Sequence, residues 1–240
     1  MPVAWEVSLG DAVVDHLVPA GKRCEDARRQ QALDAIVTVL LRGAPGQPYR
    51  FRLTVVDDDT VNALAAPGGS LVLFRGLLQR TASAEELAGV LAHEIQHVLH
   101  RHGTRMVVQR ASTGLLLAAV AGDVSGLMAF GLETARTLGD LRHSRHNEEE
   151  ADRDGLRMLL AAGIDPGGML EFFRKVATRE GATGAIPRYL SSHPPSEDRL
   201  QRLKALAAAA PPAPALLPDY DWGDIKKMCG SPPPPESPPR

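Results

Sequence analysis

The sequence predicts an α+β fold, mostly helical, with a small three-stranded antiparallel sheet near the middle of the chain. Three observations carry this expectation. Apolar residues recur at helical spacing over most of the 240 residues, and three short apolar runs lie between positions 51 and 74. Pro67, Gly68 and Gly69 then supply a turn between the second and third runs.

Taken in order, residues 5–18 and 25–42 have helical spacing, and Leu33, Ile36, Val37 and Leu40 form the apolar stripe of the second stretch. The Gly/Pro cluster at 43–48 ends it. Strands are expected at 51–56, 61–65 and 70–74. Ser83 with Glu86 three residues later is a capping-box signature for a helix running to about His102, where Gly103 permits a stop. Further helices are expected within 104–140, at 144–162 and 166–178, and near 195–209 after Pro194 and Pro195.

One domain over 1–210 accounts for this pattern, with a helical amino-terminal part (1–45) and a second part (46–210) holding the sheet and the remaining helices. Residues 211–240 read as a Pro-rich linker and a partly disordered tail, and 219–229 as a short helix docking through Trp222 or an ordered patch of that tail. A net charge of -2 without a basic run gives no electrostatic footprint for nucleic acid or an anionic membrane. Cys24 and Cys229 form no CxxC pair, so a disulfide and two free thiols stay open. The amino terminus lacks the basic start and apolar run of a signal peptide. The most apolar stretch, 112–132, has nearly the length of a membrane span. Asp123 at its centre and four glycines favour two short helices packed on the body.

Chemistry enters at His93-Glu94-Ile95-Gln96-His97, an HExxH sequence on an expected helix. The histidines stand one turn apart on one face, about 5–6 Å between Cβ atoms, which suits two ligands of a single zinc. Glu94 is placed to reach the attacking water rather than the metal. With eight histidines in the chain, chance alone supplies the pattern in about one such chain in a hundred, and two histidines hydrogen-bonded at the core boundary would look alike. Leu87, Leu91, Ile95 and Val98 mark the core side, while Gly89, His93, His97 and His100 fall on the adjacent stripe.

A catalytic zinc needs a third protein ligand. Gly103 stands where a third histidine six residues after His97 would be, so the acidic cluster at 148–152 is the best source. On its helix Glu148, Ala151, Asp152, Gly155 and Leu159 share one stripe, and Glu150, Asp154 and Arg157 share the watery side. Glu148 is then the ligand, with Asp152 one turn on accepting the second N–H of a ligating histidine. A solvated acidic helix start favoured by the helix dipole is the alternative.

Four ordered segments resemble the HtpX-like and CAAX-prenyl-endopeptidase-like gluzincins, zinc metallopeptidases of clan MA, family 48. They are NALAAPGG from Asn62, LAHEIQHVLHRHG from Leu91, SRHNEEEADRDG from Ser144 and SSHPPSEDR from Ser191, together spanning about 50–205. The resemblance implies a zincin-type domain whose sheet edge flanks the zinc cleft, with one zinc on His93, His97 and Glu148 and Asp152 in support. It implies that Asn62 and Ala63 pair with substrate backbone, and that His193 and Arg199 lie near the cleft. Either would bind the oxyanion, or His193 would cap the open metal position; a plain helix-entry turn is the alternative for His193. His100 and His102 are left beside the ligands or at the surface, and His16, His143 and His146 are taken as structural.

The implied activity is zinc-dependent hydrolysis of peptide bonds in unfolded or extended segments, with Glu94 as general base, in protein quality control. The rival is a non-cleaving, zinc-containing chaperone-like protein that holds misfolded or membrane partners; Glu94 beside an open ligand position tells against it. The opening Pro-Val-Ala-Trp-Glu resembles the region after a membrane segment in longer relatives. A cytoplasmic protein and the soluble part of an envelope protein are both consistent, and membrane contact through 112–132 or a preceding segment stays open.

Overall fold

The structure is a computed structural model that describes residues 2–109, 144–179, 189, 192–193 and 197–230. The expectations for 112–132, for His143 and for 231–240 lie outside these residues. Among the described helices, none is long and apolar enough to cross a membrane.

Helices α1 (Val3–Leu17) and α2 (Ala27–Arg42) precede strands β1 (Arg52–Val56), β2 (Ala63–Ala66) and β3 (Ser70–Phe74). Then come α3 (Arg75–Arg80), α4 (Ala84–Leu99), α5 (Arg145–Ala161), α6 (Gly167–Arg179), α7 (Glu197–Ala207) and the short α8 (Trp222–Ile225). The sheet order is β1-β3-β2. β2 and β3 form the expected antiparallel hairpin, but β1 runs parallel to β3, so the sheet is mixed rather than antiparallel throughout. The reason lies in the 57–62 connection. Its Asp57 and Asp59 take hydrogen bonds from the buried Arg75 at 2.6 and 2.7 Å, drawing the chain past the end of β3's slot. β2 therefore starts two strand positions from β1, and the Pro67–Gly69 turn returns β3 between them. Helix α3, which no apolar stripe announces, buries Leu77 and Leu78 in the main core and carries the same Arg75 contacts.

A central strand needs two apolar faces, and Ser70–Phe74 has them. Leu71 and Leu73 join Leu53 and Val55 against α2 and α4 in the main core. Val72 joins Val56 and Ala66 against Val13, Val14 and Val18, the last just past the end of α1. β1 and β2 are left as the two edge strands.

Helix α4 starts as its sequence signals: Ser83 accepts from Glu86 N–H at 3.3 Å, and the Glu86 carboxylate accepts from Ala82 N–H at 2.9 Å. It stops earlier than expected, at Leu99, and the left-handed residue is Arg101 (φ 57) rather than Gly103. Arg101 is held there by tertiary contact, donating to Tyr49 Oη at 2.9 Å; that hydroxyl in turn donates to the buried Glu6 at 2.6 Å. Residues 102–109 then turn helical again.

The stretch from 211 to 230 packs on the body. Leu216 N–H donates to Glu85 at 2.8 Å and Trp222 Nε1 to the Thr81 carbonyl at 3.2 Å. Ile225 and Met228 are buried in the main core, and Cys24 and Cys229 form a disulfide.

Candidate metal centre

Helix α4 presents His93 and His97 one turn apart, and α5 crosses it closely enough for its own polar stripe to reach them. Gly155 makes the approach tolerable: a Cβ there would stand 3.2 Å from the His93 backbone nitrogen. The crossing buries Glu148 and Asp152 beside the histidines, as the stripe on α5 requires. The segment before α7 adds His193, and α7 adds Arg199.

One donor atom each from His93, His97, Glu148 and His193 gathers within 4.8 Å, all four side chains being buried. His93 Nε2 is 3.0 Å from His97 Nε2 and 3.1 Å from His193 Nδ1. His193 Nδ1 lies 3.1 and 3.2 Å from the two Glu148 oxygens. Behind this set, His93 Nδ1 is 2.9 Å from Asp152 Oδ1. Burial alone would push His93 down, yet Asp152 and Glu148 raise its pKa to about 10. Burial would likewise raise Glu148, but His193 and His93 hold it well below its ordinary value. The two carboxylates thus stabilise positive charge at His93, and three imidazoles with a carboxylate make a donor set that fits zinc.

Glu94 points toward the sheet side. The Ala65 backbone pulls its pKa down, while Oε1 lies 3.3 Å from His193 Nε2 without making a hydrogen bond. Burial raises its pKa against the pull of His193 and His93, which suits a proton acceptor.

The other expected residues are placed as follows. Asn62 and Ala63 are buried at the β2 edge; the Asn62 carbonyl accepts from Phe74 N–H at 3.1 Å, and the Asn62 Oδ1 has no partner among the described residues. Antiparallel alternation turns the backbone groups of Ala63 and Ala65 away from β3. Arg199 is buried against the carboxylates of α5. It donates to Asp152 Oδ2 from Nε at 2.6 Å and to Oδ1 from Nη2 at 2.9 Å, with Nη2 also 3.1 Å from Glu148. His100 and His102 do lie behind the cluster, His102 Nδ1 being 2.8 Å from His97 Nδ1. Glu150 and Asp154, expected on the watery side, are half-buried against these two histidines.

Sequence reasoning missed Tyr189. Its ring centroid is 4.7 Å from that of His193, its N–H donates to the Val61 carbonyl at 3.0 Å, and its buried hydroxyl lacks a partner among the described residues. No periodicity marks it; only its place four residues before His193 would have suggested it.

Comparison with known proteins bears on this arrangement. The profile "Peptidase family M48" matches residues 26–207. The beta-barrel assembly-enhancing protease of Yersinia pestis is 29% identical over 237 residues, covering 94% of this chain and 49% of that protein. The protein of the same name from Escherichia coli K12 is 29% identical over 210 residues, 83% of this chain and 43% of its own. Mitochondrial metalloendopeptidase OMA1 of Schizosaccharomyces pombe is 32% identical over 157 residues, 65% of this chain and 46% of its own. The chain spans about half the length of the curated relatives it matches.

Proposed function

This chain belongs to peptidase family M48, and we propose that it is a zinc metalloendopeptidase that cuts unfolded or extended protein segments in a quality-control role. The observation that carries this reading is the buried cluster of His93, His97, Glu148 and His193, with Glu94 beside it and the edge strand β2 against Glu94.

In this reading His93, His97 and Glu148 hold one zinc, and Asp152 fixes the ring of His93. The metal, when bound, supplies Lewis-acid polarisation of the scissile carbonyl and makes water a better nucleophile near neutral pH. Glu94 takes the proton of the attacking water and passes it to the leaving amine, a transfer that its buried carboxylate, raised in pKa by burial, supports. The outward backbone groups of β2 at Ala63 bind the substrate as an added strand, with Asn62 beside them. Recognition through backbone rather than side chains favours extended chains of varied sequence, which fits relatives named for assembly enhancement and for mitochondrial endopeptidase activity.

His193 is the fourth donor of the cluster, so here it closes the position a substrate must reach. Arg199 holds Asp152 and Glu148 in place, and it or His193 would be the donor to the oxyanion.

The test is digestion of casein by the zinc-loaded chain beside Glu94→Gln and His193→Ala. Glu94→Gln is expected to keep its zinc and lose cleavage, and His193→Ala to cut faster than the parent. Cleavage that persists in Glu94→Gln, or survives a chelator, would sink the reading.

A further inference from the structure

On the outer side of the α4–α5 crossing sits a second group of donors that the peptidase reading does not use. His100 caps α4, while Glu150 and Asp154 stand one turn apart on α5, and one donor atom from each falls within 4.8 Å of the others. His100 Nε2 is 3.0 Å from Asp154 Oδ2, and His100 Nδ1 is 3.7 Å from Glu150 Oε2. Ligands held at about 2.0–2.2 Å from one zinc stand roughly 3–4 Å apart, so little movement is needed to close on a cation. Unlike the first cluster, the three side chains remain reachable, at 26%, 22% and 20% exposure for His100, Glu150 and Asp154.

The two clusters are linked. Glu150 Oε2 is also 3.1 Å from His102 Nε2, and His102 Nδ1 is 2.8 Å from His97 Nδ1. If His97 binds metal through Nε2, its Nδ1 carries the proton and donates to His102 Nδ1. His102 then carries its own proton on Nε2 and donates it to Glu150. A cation on Glu150 competes with His102 for the same oxygen and withdraws electron density from the ring that steadies His97.

We propose that His100, Glu150 and Asp154 form a second divalent-cation site, linked through His102 to the first, at which excess zinc lowers peptidase activity. The cation must compete with Arg153, which donates to both Asp154 oxygens at 2.9 and 2.8 Å, and with Arg157 at 3.0 Å. The second site is therefore the weaker one, filled only when zinc exceeds one per chain. The link to activity rests on His97 serving the first site; the cation site itself does not.

The experiment is calorimetric titration of zinc chloride into the full chain already carrying one equivalent, for the parent, His100→Ala and Asp154→Asn. A circular-dichroism melt checks each fold. The parent is expected to show a second, weaker event, and both variants to weaken it about tenfold or more with the first event unchanged. Absence of a second event in the parent, or its survival in His100→Ala, overturns the site. His100 is only partly buried, so that variant decides if Asp154→Asn does not fold. Casein cleavage is followed in parallel. Loss with added zinc in the parent but not in His100→Ala supports the link, and equal loss in both overturns it. A chain that cuts no casein at any zinc level counts against the peptidase reading, and the calorimetry still decides the site.

Discussion

Arg199 grips Asp152 through two nitrogens, Nε to Oδ2 at 2.6 Å and Nη2 to Oδ1 at 2.9 Å, while Asp152 faces His93 Nδ1 at 2.9 Å. The pair is buried, and the guanidinium also reaches Glu148. A single side chain on α7 thus orients both carboxylates that α5 offers to the histidines of α4. Removing it leaves Asp152 a buried charge without its main partner, which costs about 3–5 kcal/mol. Arg199→Leu is expected to melt earlier and to bind zinc about 10–100-fold more weakly, read by thermal unfolding and chelator competition. Arg199→Lys keeps the charge but not the fork, and is expected to recover only part of both losses.

Acid lability follows from the same pair. Burial would raise Asp152 from 3.8, but His93 and Arg199 hold it below that value; Glu148 is held well below 4.5 by His193 and His93. Groups depressed on folding bind fewer protons folded than unfolded. Their stabilisation is therefore present above the unfolded values and lost as pH falls through the folded ones. His102, pushed below 6.5 by burial against the pull of Glu150, adds a loss in the same direction that begins below 6.5. Melting temperature of the chelated chain should fall as pH drops below these values, and Asp152→Asn should flatten the most acidic part of the curve. A parent curve flat down to pH 3 would contradict this.

The helix crossing is sensitive to a single methyl group. Gly155→Ala places a Cβ 3.2 Å from the His93 nitrogen and 3.3 Å from the Ala92 carbonyl carbon, contacts tighter than a packed interface prefers. Backing α5 away costs about 1–3 kcal/mol and withdraws Glu148 and Asp152 from the histidines. The variant should keep its helix content by circular dichroism yet lose zinc affinity. Unchanged affinity would show that the crossing has slack.

The Cys24–Cys229 disulfide closes a loop with a sequence separation of 205 and fastens the 211–230 stretch to the start of α2. Replacing both cysteines by serine, or adding reductant, should lower stability by about 2–5 kcal/mol in denaturant unfolding. Zinc affinity should not change, because neither cysteine nor the 211–230 stretch supplies a cluster residue. A drop in affinity equal to that of Arg199→Leu would show that the carboxyl-terminal stretch braces the site.

Much of this protein is local in origin and therefore legible in its residues. The HExxH spacing places two histidines one turn apart whatever surrounds them, and the stripe on α5 selects Glu148 and Asp152 over Glu149 because helical period is a property of the backbone. The cap at Ser83, the stripe of α2 and the β2–β3 hairpin are likewise decided within a few residues. What tertiary structure decided are the relations between distant segments. The parallel placement of β1 depends on Asp57 and Asp59 meeting Arg75. The stop of α4 depends on Tyr49 holding Arg101, against the intrinsic preference for Gly103. Arg199 meets Asp152, and Glu150 and Asp154 meet His100 and His102, only because α4, α5 and α7 converge. Periodicity says which way a side chain points, but only packing says what it meets.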